Sequence, residues 1–201
     1  MGSNSYTLKE QDGRCNLESN SNGKTELADG MIVHDSQGNL VIVGLCRWSG
    51  CSKKRKNEKG HHGKLLIFSK KIAKNGHCQW KVIKGVDIPE SANFREFTSI
   101  SMDIQGHVVI SSQKESMVWV GQLLGRTSSD LWDLGRMKFN ERKGNLFYFP
   151  KNDDCRTIFC NIRGVQWLNS EMLITVSSRM KRNQHFECFQ TSEHVHVFVL
   201  P

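Results

Sequence analysis

The chain has 201 residues, of which 28 are Lys or Arg and 20 Asp or Glu, for a net charge of +8 with 37% hydrophobic residues. This suits one ordinary globular domain with a sizeable core and excludes collagen, a coiled coil and a wholly disordered chain. No stretch approaches the ~18 apolar residues of a membrane helix, so no membrane span is expected.

Residues 1–28 are rich in Ser, Asn, Gly and Lys without apolar periodicity, which predicts a flexible polar tail ahead of a β domain over 29–201. Met1 to Asn20 lacks the apolar stretch of a secretory signal, so a soluble chain without a signal peptide is expected. Met31-Ile32-Val33, then Asp35-Ser36-Gln37-Gly38-Asn39, then Leu40 to Gly44 read as strand, turn, strand. Lys64 to Ser69 and Gln79 to Val86 read as two more strands. The pattern recurs at Thr98 to Ser111, where Asp103-Ile104-Gln105-Gly106 repeats the first turn, and the strand Ser116 to Gln122 follows. A third, weaker copy runs from Ile162 through Asn169-Ser170-Glu171 to Ser177, and the chain closes on the strand His194 to Leu200. No segment shows the i, i+3, i+4, i+7 spacing of a long amphipathic helix.

The fold class is therefore all-β. About three units of antiparallel, roughly four-stranded blades suggest an incomplete β-propeller; a β-sandwich is the alternative. A closed ring takes at least four blades, so three predict open blade faces and self-association through them, or completion by a protein partner. Trp119, Trp132 and Trp167 are expected to pack between the blades.

Several runs carry a family resemblance: Ile88-Pro89-Glu90-Ser91-Ala92-Asn93-Phe94, Ser112 to Gly121, Leu131-Trp132-Asp133, Tyr148 to Cys155 and Val195 to Pro201. Over residues 30–201 the chain resembles the carboxy-terminal part of a largely uncharacterised β-propeller family, remotely similar to SdiA-regulated and esterase-like phytase propellers. The resemblance implies carboxylates at inner strand ends that face a central channel and could hold a divalent cation. Where it implies acidic residues, this chain has Lys114, Arg163 and Ser178, with Glu115 retained beside Lys114. The expectation is therefore no cofactor and no metal site.

Among the seven cysteines, Cys46/Cys51 and Cys155/Cys160 share one spacing, which allows a disulfide across a tight loop beside a strand. Reduced thiols are the rival reading, and a zinc site using His61 and His62 is a third, disfavoured because adjacent histidines make poor joint ligands. The cysteine pairs hint at a secreted parent family, whereas the absence of an Asn-x-Ser/Thr sequon points the other way.

The main compositional feature is a basic run, Lys53, Lys54, Arg55, Lys56, Lys59 and Lys64, between two strands. Together with Lys114 and Arg163 it predicts binding of a polyanion or anionic protein, set against the alternative of a solvated loop. There is no Gly-x-Ser-x-Gly elbow, no P-loop and no His-Glu-x-x-His. The catalytic grouping the spacing offers is Ser111, Ser112 and Glu115 with His107, of which His107 and Ser111 share one face of a strand. The expected function is a non-enzymatic, propeller-type binding scaffold for an anionic partner. The alternative is a hydrolase-like or cation-dependent propeller enzyme, or a degenerate relative of one.

Overall fold

The computed structural model describes residues 16–17, 27–48, 63–72, 78–179, 188 and 193–201. They form twelve strands and no helix. The first sheet holds β1 (Asn16–Leu17), β2 (Leu27–His34), β3 (Leu40–Cys46), β4 (Lys64–Ile72) and β5 (Cys78–Asp87), in the order β1-β5-β4-β3-β2. The second is β6 (Ser99–Met102), β7 (His107–Ser112), β8 (Met117–Leu124) and β9 (Lys138–Tyr148), and the third is β10 (Ile162–Trp167), β11 (Met172–Ser177) and β12 (Val195–Val199); each runs in sequence order. Every pairing is antiparallel except the short parallel contact of β1 with β5, which brings part of the expected polar tail onto the sheet. None of the three sheets closes on itself, an arrangement consistent with an incomplete propeller or a sandwich.

The hairpin turns follow from local chemistry. The Asp35 carboxylate accepts the N–H groups of Gln37 and Asn39 at 2.9 and 2.8 Å, and Gly38 takes φ 81°. Asp103 likewise accepts from Gln105 and His107, both at 2.8 Å, beside Gly106 at φ 84°. Asn169 accepts from Glu171 and Met172 at 2.9 and 2.8 Å in the third turn. A short side-chain acceptor at the first turn position replaces backbone partners that the reversing chain cannot supply, and glycine accepts the left-handed φ without strain.

The second sheet lies between the other two. Val108 and Ile110 of β7 are buried with Val41, Val43, Leu65 and Ile67 of the first sheet, and Trp119 and Trp132 join this core. Val109 points the other way and is buried with Val165, Trp167 and Leu173 of the third sheet. Burial on both faces explains why β7 reads as a continuous apolar run where a half-exposed strand would alternate. The first full strands of the sheets also meet, with β6 touching both β2 and β10. One polar chain ties them together. Ser99 Oγ donates to Asp29 Oδ2 at 2.6 Å, and the same carboxylate oxygen accepts Ile100 N–H at 3.1 Å. Ser99 Oγ in turn accepts Val165 N–H, and Ser101 Oγ accepts Trp167 N–H, each at 3.2 Å.

Beyond β1, two features differ from the sequence reading. β9, an eleven-residue strand, was not legible because its charged stretch Glu141-Arg142-Lys143 is exposed and breaks the apolar alternation. The pairing of Cys155 with Cys160 is corrected: Cys160 is bonded to Cys188, with Cα atoms 5.4 Å apart, and Cys155 is free and exposed. Cys155 sits with φ 61° at the tip of a small hairpin that closes between Lys151 and Thr157, and Cys160 lies beyond its base, so the hairpin keeps the two apart. Cys46 is disulfide-bonded, as is Cys78, and Cys51 lies outside the described residues.

Trp119 is fully buried in a slot made by two glycines: a Cβ at Gly121 would lie 2.0 Å from its ring, and one at Gly144 2.6 Å. We expect Gly121→Ala to destabilise the fold by about 1–3 kcal/mol or more, since a packed indole cannot retreat without moving its neighbours; chemical denaturation followed by tryptophan fluorescence checks this.

Desolvation raises the Asp35 pKa, but the hydrogen bonds from the Asn39 side chain and from the Asn39 and Gln37 amides, together with the His34 charge, outweigh it, so the carboxyl titrates below its ordinary value. Its contribution to stability is therefore present above the unfolded pKa of roughly 4 and is lost as pH falls through the lowered folded value. The expected outcome is that Asp35→Asn shows a shallower loss of stability on acidification, measured by urea unfolding between about pH 6 and about pH 2.

Candidate functional site

Antiparallel order places the ends of β3, β7 and β11 and the starts of β2, β4, β6 and β10 along one rim of the molecule, with the Asp35, Asp103 and Asn169 turns at the opposite rim. At the first rim lies a cleft of about 160 Å3 lined by Arg47, Glu96, Thr98, Gln113 and Arg163 among others. Arg47 follows β3 directly; its Nε donates to Glu96 Oε1 at 2.9 Å and its guanidinium lies 5.4 Å from the centroid of the Trp48 ring. Thr98, Gln113 and Arg163 of the lining are joined by a chain of hydrogen bonds that runs through Asn161 and Ser178, outside the lining. Thr98 Oγ1 accepts Gln113 N–H at 2.9 Å, and the Gln113 side-chain amide donates to Asn161 Oδ1. Asn161 Nδ2 donates to Ser178 Oγ at 2.6 Å, and Arg163 Nε donates to the same oxygen at 3.2 Å. Asn161 is buried and holds φ 59°, a conformation asparagine tolerates better than most side chains.

This wiring has an electrostatic consequence. Each arginine is anchored through Nε, and the terminal nitrogens of both guanidinium groups make no hydrogen bond among the described residues. Ser178 Oγ accepts two hydrogen bonds, which leaves its own proton to be donated. Lys114 is exposed in the adjacent turn between β7 and β8. The rim therefore presents the terminal N–H groups of two arginines at a small cleft that also holds the Glu96 carboxylate on Arg47, and such forked donors suit a carboxylate or phosphate.

A larger cleft of about 1330 Å3 lies between β5 and the β8–β9 end of the second sheet. Lys84, which lines it, is fully used: its Nζ donates to the carbonyl oxygens of Leu134, Gly135 and Met137 at 2.7, 2.9 and 3.0 Å. Arg126 is paired with Asp130 and Arg136 with Asp133, and Glu90, Asp87 and Glu141 balance the remaining cations. Its walls carry both signs in similar number, so they favour no ligand charge.

The basic residues Lys53, Lys54, Arg55, Lys56 and Lys59 lie outside the described residues, as do His61 and His62. The described ends of the connection that carries them, Trp48 and Gly63, stand at the same rim as the cleft. Lys64 is paired with Asp87 at 3.1 Å. Arg163 and Lys114 are both exposed at this rim, and the structure brings Arg47, Gln113, Asn161 and Ser178 to Arg163. Arg47 and Asn161 were missed as site residues because they stand more than a hundred positions apart, and only the packing of the sheets makes them neighbours.

The catalytic grouping is not assembled. His107 opens β7, where its Nδ1 is 2.8 Å from Asp103 Oδ2, and Ser111 lies four residues along the same strand, about 13 Å away at the usual rise. Ser111 is fully buried and its Oγ has no partner, while Glu115 is hydrogen-bonded to Ser112. A nucleophile so far from its base cannot be activated by it. Among the described residues no three His, Cys, Asp or Glu side chains cluster as metal ligands, and no helix is long and apolar enough to cross a membrane. Set against models of known protein families and against curated proteins, the chain matches none.

Proposed function

We propose that the chain is a non-enzymatic binding scaffold of the propeller type, whose three sheets act as blades and whose Arg47–Arg163 rim receives an anionic group of a partner. The observation that carries this reading is the pair of arginines flanking one small cleft with terminal nitrogens that have no partner in the described structure. Guanidinium forks match the oxygen pairs of carboxylate and phosphate, and a partly exposed site of this kind binds reversibly and loses affinity with salt. The net charge of +8 and the basic connection between β3 and β4 support the same preference, because they raise the local concentration of anions and their encounter rate. Two sheet interfaces built from apolar faces, with the first strands of the three sheets side by side, support the blade reading.

The test is binding of a short polyphosphate to the full chain by calorimetry at several salt concentrations. We expect affinity to fall steeply with salt, and Arg163→Gln to weaken binding roughly tenfold or more. The exposed position of Arg163 should leave the thermal melt of the variant unchanged. Binding that is insensitive to Arg163→Gln and to Arg47→Gln would sink the rim reading and move the anion site to the lysine run.

A further inference from the structure

The third sheet carries the residue pattern of a layer covered on both sides, yet among the described residues only one cover is present. Along β11, Leu173, Thr175 and Ser177 are buried toward the second sheet, and Met172, Ile174 and Val176 point the other way. Their register partners on β12 are Val199, Val197 and Val195, which are 70%, 53% and 63% exposed. Between Arg163 and Glu171 this outer face carries no charged side chain; β10 adds Gly164 and Gln166, and Leu168 follows it. Solvated sheet faces alternate apolar with polar residues, and contiguous apolar patches beyond a few hundred Å2 mark interaction sites.

We propose that this face is the contact for a second copy of the chain, with the two third sheets packed face to face about a two-fold axis. The contact repeats the construction already present between the second and third sheets, where valine, leucine and aromatic side chains of two sheets fill one layer. A face without charge meets itself without repulsion, which is what an isologous contact requires. The ends of the face fix the direction. The exposed Arg163 stands at one end, where Glu193 also lies, and Glu171 stands at the other. An axis running across the strands sets the arginine end of one copy over Glu171 of its mate, whereas an axis along them would oppose like ends. The association is hydrophobic at its centre and works against the +8 charge of each chain, so it tightens with salt. Anion binding at the rim moves the other way with salt, so either proposal can fail while the other stands.

The experiment is sedimentation equilibrium of the full chain up to about 100 μM at low and high salt, with Val197→Glu and Val197→Ile beside it. Val197 is half exposed in the single chain, so a charge there leaves the fold intact, as a thermal melt checks. We expect a wild-type dimer that strengthens with salt, a similar dimer for Val197→Ile, and a dissociation constant raised roughly 100-fold for Val197→Glu, whose carboxylate would be trapped without a partner. If Val197→Glu does not fold, Val199→Lys at the more exposed neighbouring position serves in its place. A wild-type chain that stays monomeric throughout, or a dimer unaffected by the charge, overturns the proposal. Mass that climbs without limit overturns it too, in favour of head-to-tail stacking of sheets.

Discussion

One hydroxyl group holds three sheets together. Ser99 is buried at the middle of the structure, donates to Asp29 on β2 and accepts the Val165 amide of β10, so a single side chain of β6 joins the first full strands of all three sheets. Those strands are sheet edges, and each would otherwise leave unpaired backbone donors inside the protein. A buried amide without a partner costs about 1–3 kcal/mol, so the seam needs short polar side chains where an apolar core would leave orphans. Asp29 answers Ile100, Ser99 answers Val165 and Ser101 answers Trp167. Serine also lets the strands approach closely, which a larger polar residue would prevent.

From that seam the sheets spread into two apolar layers, and the second sheet, buried on both sides, sets their spacing. Trp119 shows how tight the fit is, with an indole occupying space that only glycine at 121 and 144 leaves open and its Nε1 donating to Ser91 Oγ at 3.0 Å. The third sheet repeats the two-faced apolar composition without a second layer against it among the described residues, so the logic that builds the interior extends to the outer face of β11 and β12.

The rims divide the labour. Three short Asp or Asn turns close one rim, and the other gathers the cleft and the basic connection. Several cations elsewhere are engaged by structure: Lys84 caps three carbonyl groups, and Lys64, Arg126 and Arg136 have carboxylate mates. At the cleft Arg47 is paired with the Glu96 carboxylate and Arg163 is bonded to Ser178, each through Nε, which fixes the guanidinium planes while leaving their terminal nitrogens to a ligand.

The all-β class, the hairpins and the equivalence of Gly38 and Gly106 are written locally, because turn chemistry and strand alternation act between residues a few positions apart. The same locality made His107, Ser111 and Glu115 look like a group and Cys155 look like the mate of Cys160. In three dimensions the strand rise separates His107 from Ser111, and a small hairpin diverts Cys155 from Cys160, which instead meets Cys188. Proximity in sequence is a poor guide in a β protein, where neighbours on one strand are held apart by an extended backbone and partners arrive from other strands. The sequence by itself determined most of the segments that extend, β1 and β9 apart, where the three hairpins reverse and that the chain is basic. Only the tertiary structure decided that Asp29, Ser99 and Val165 meet, and that Arg47 and Arg163 share a cleft, because both arrangements depend on how one sheet lies against the next.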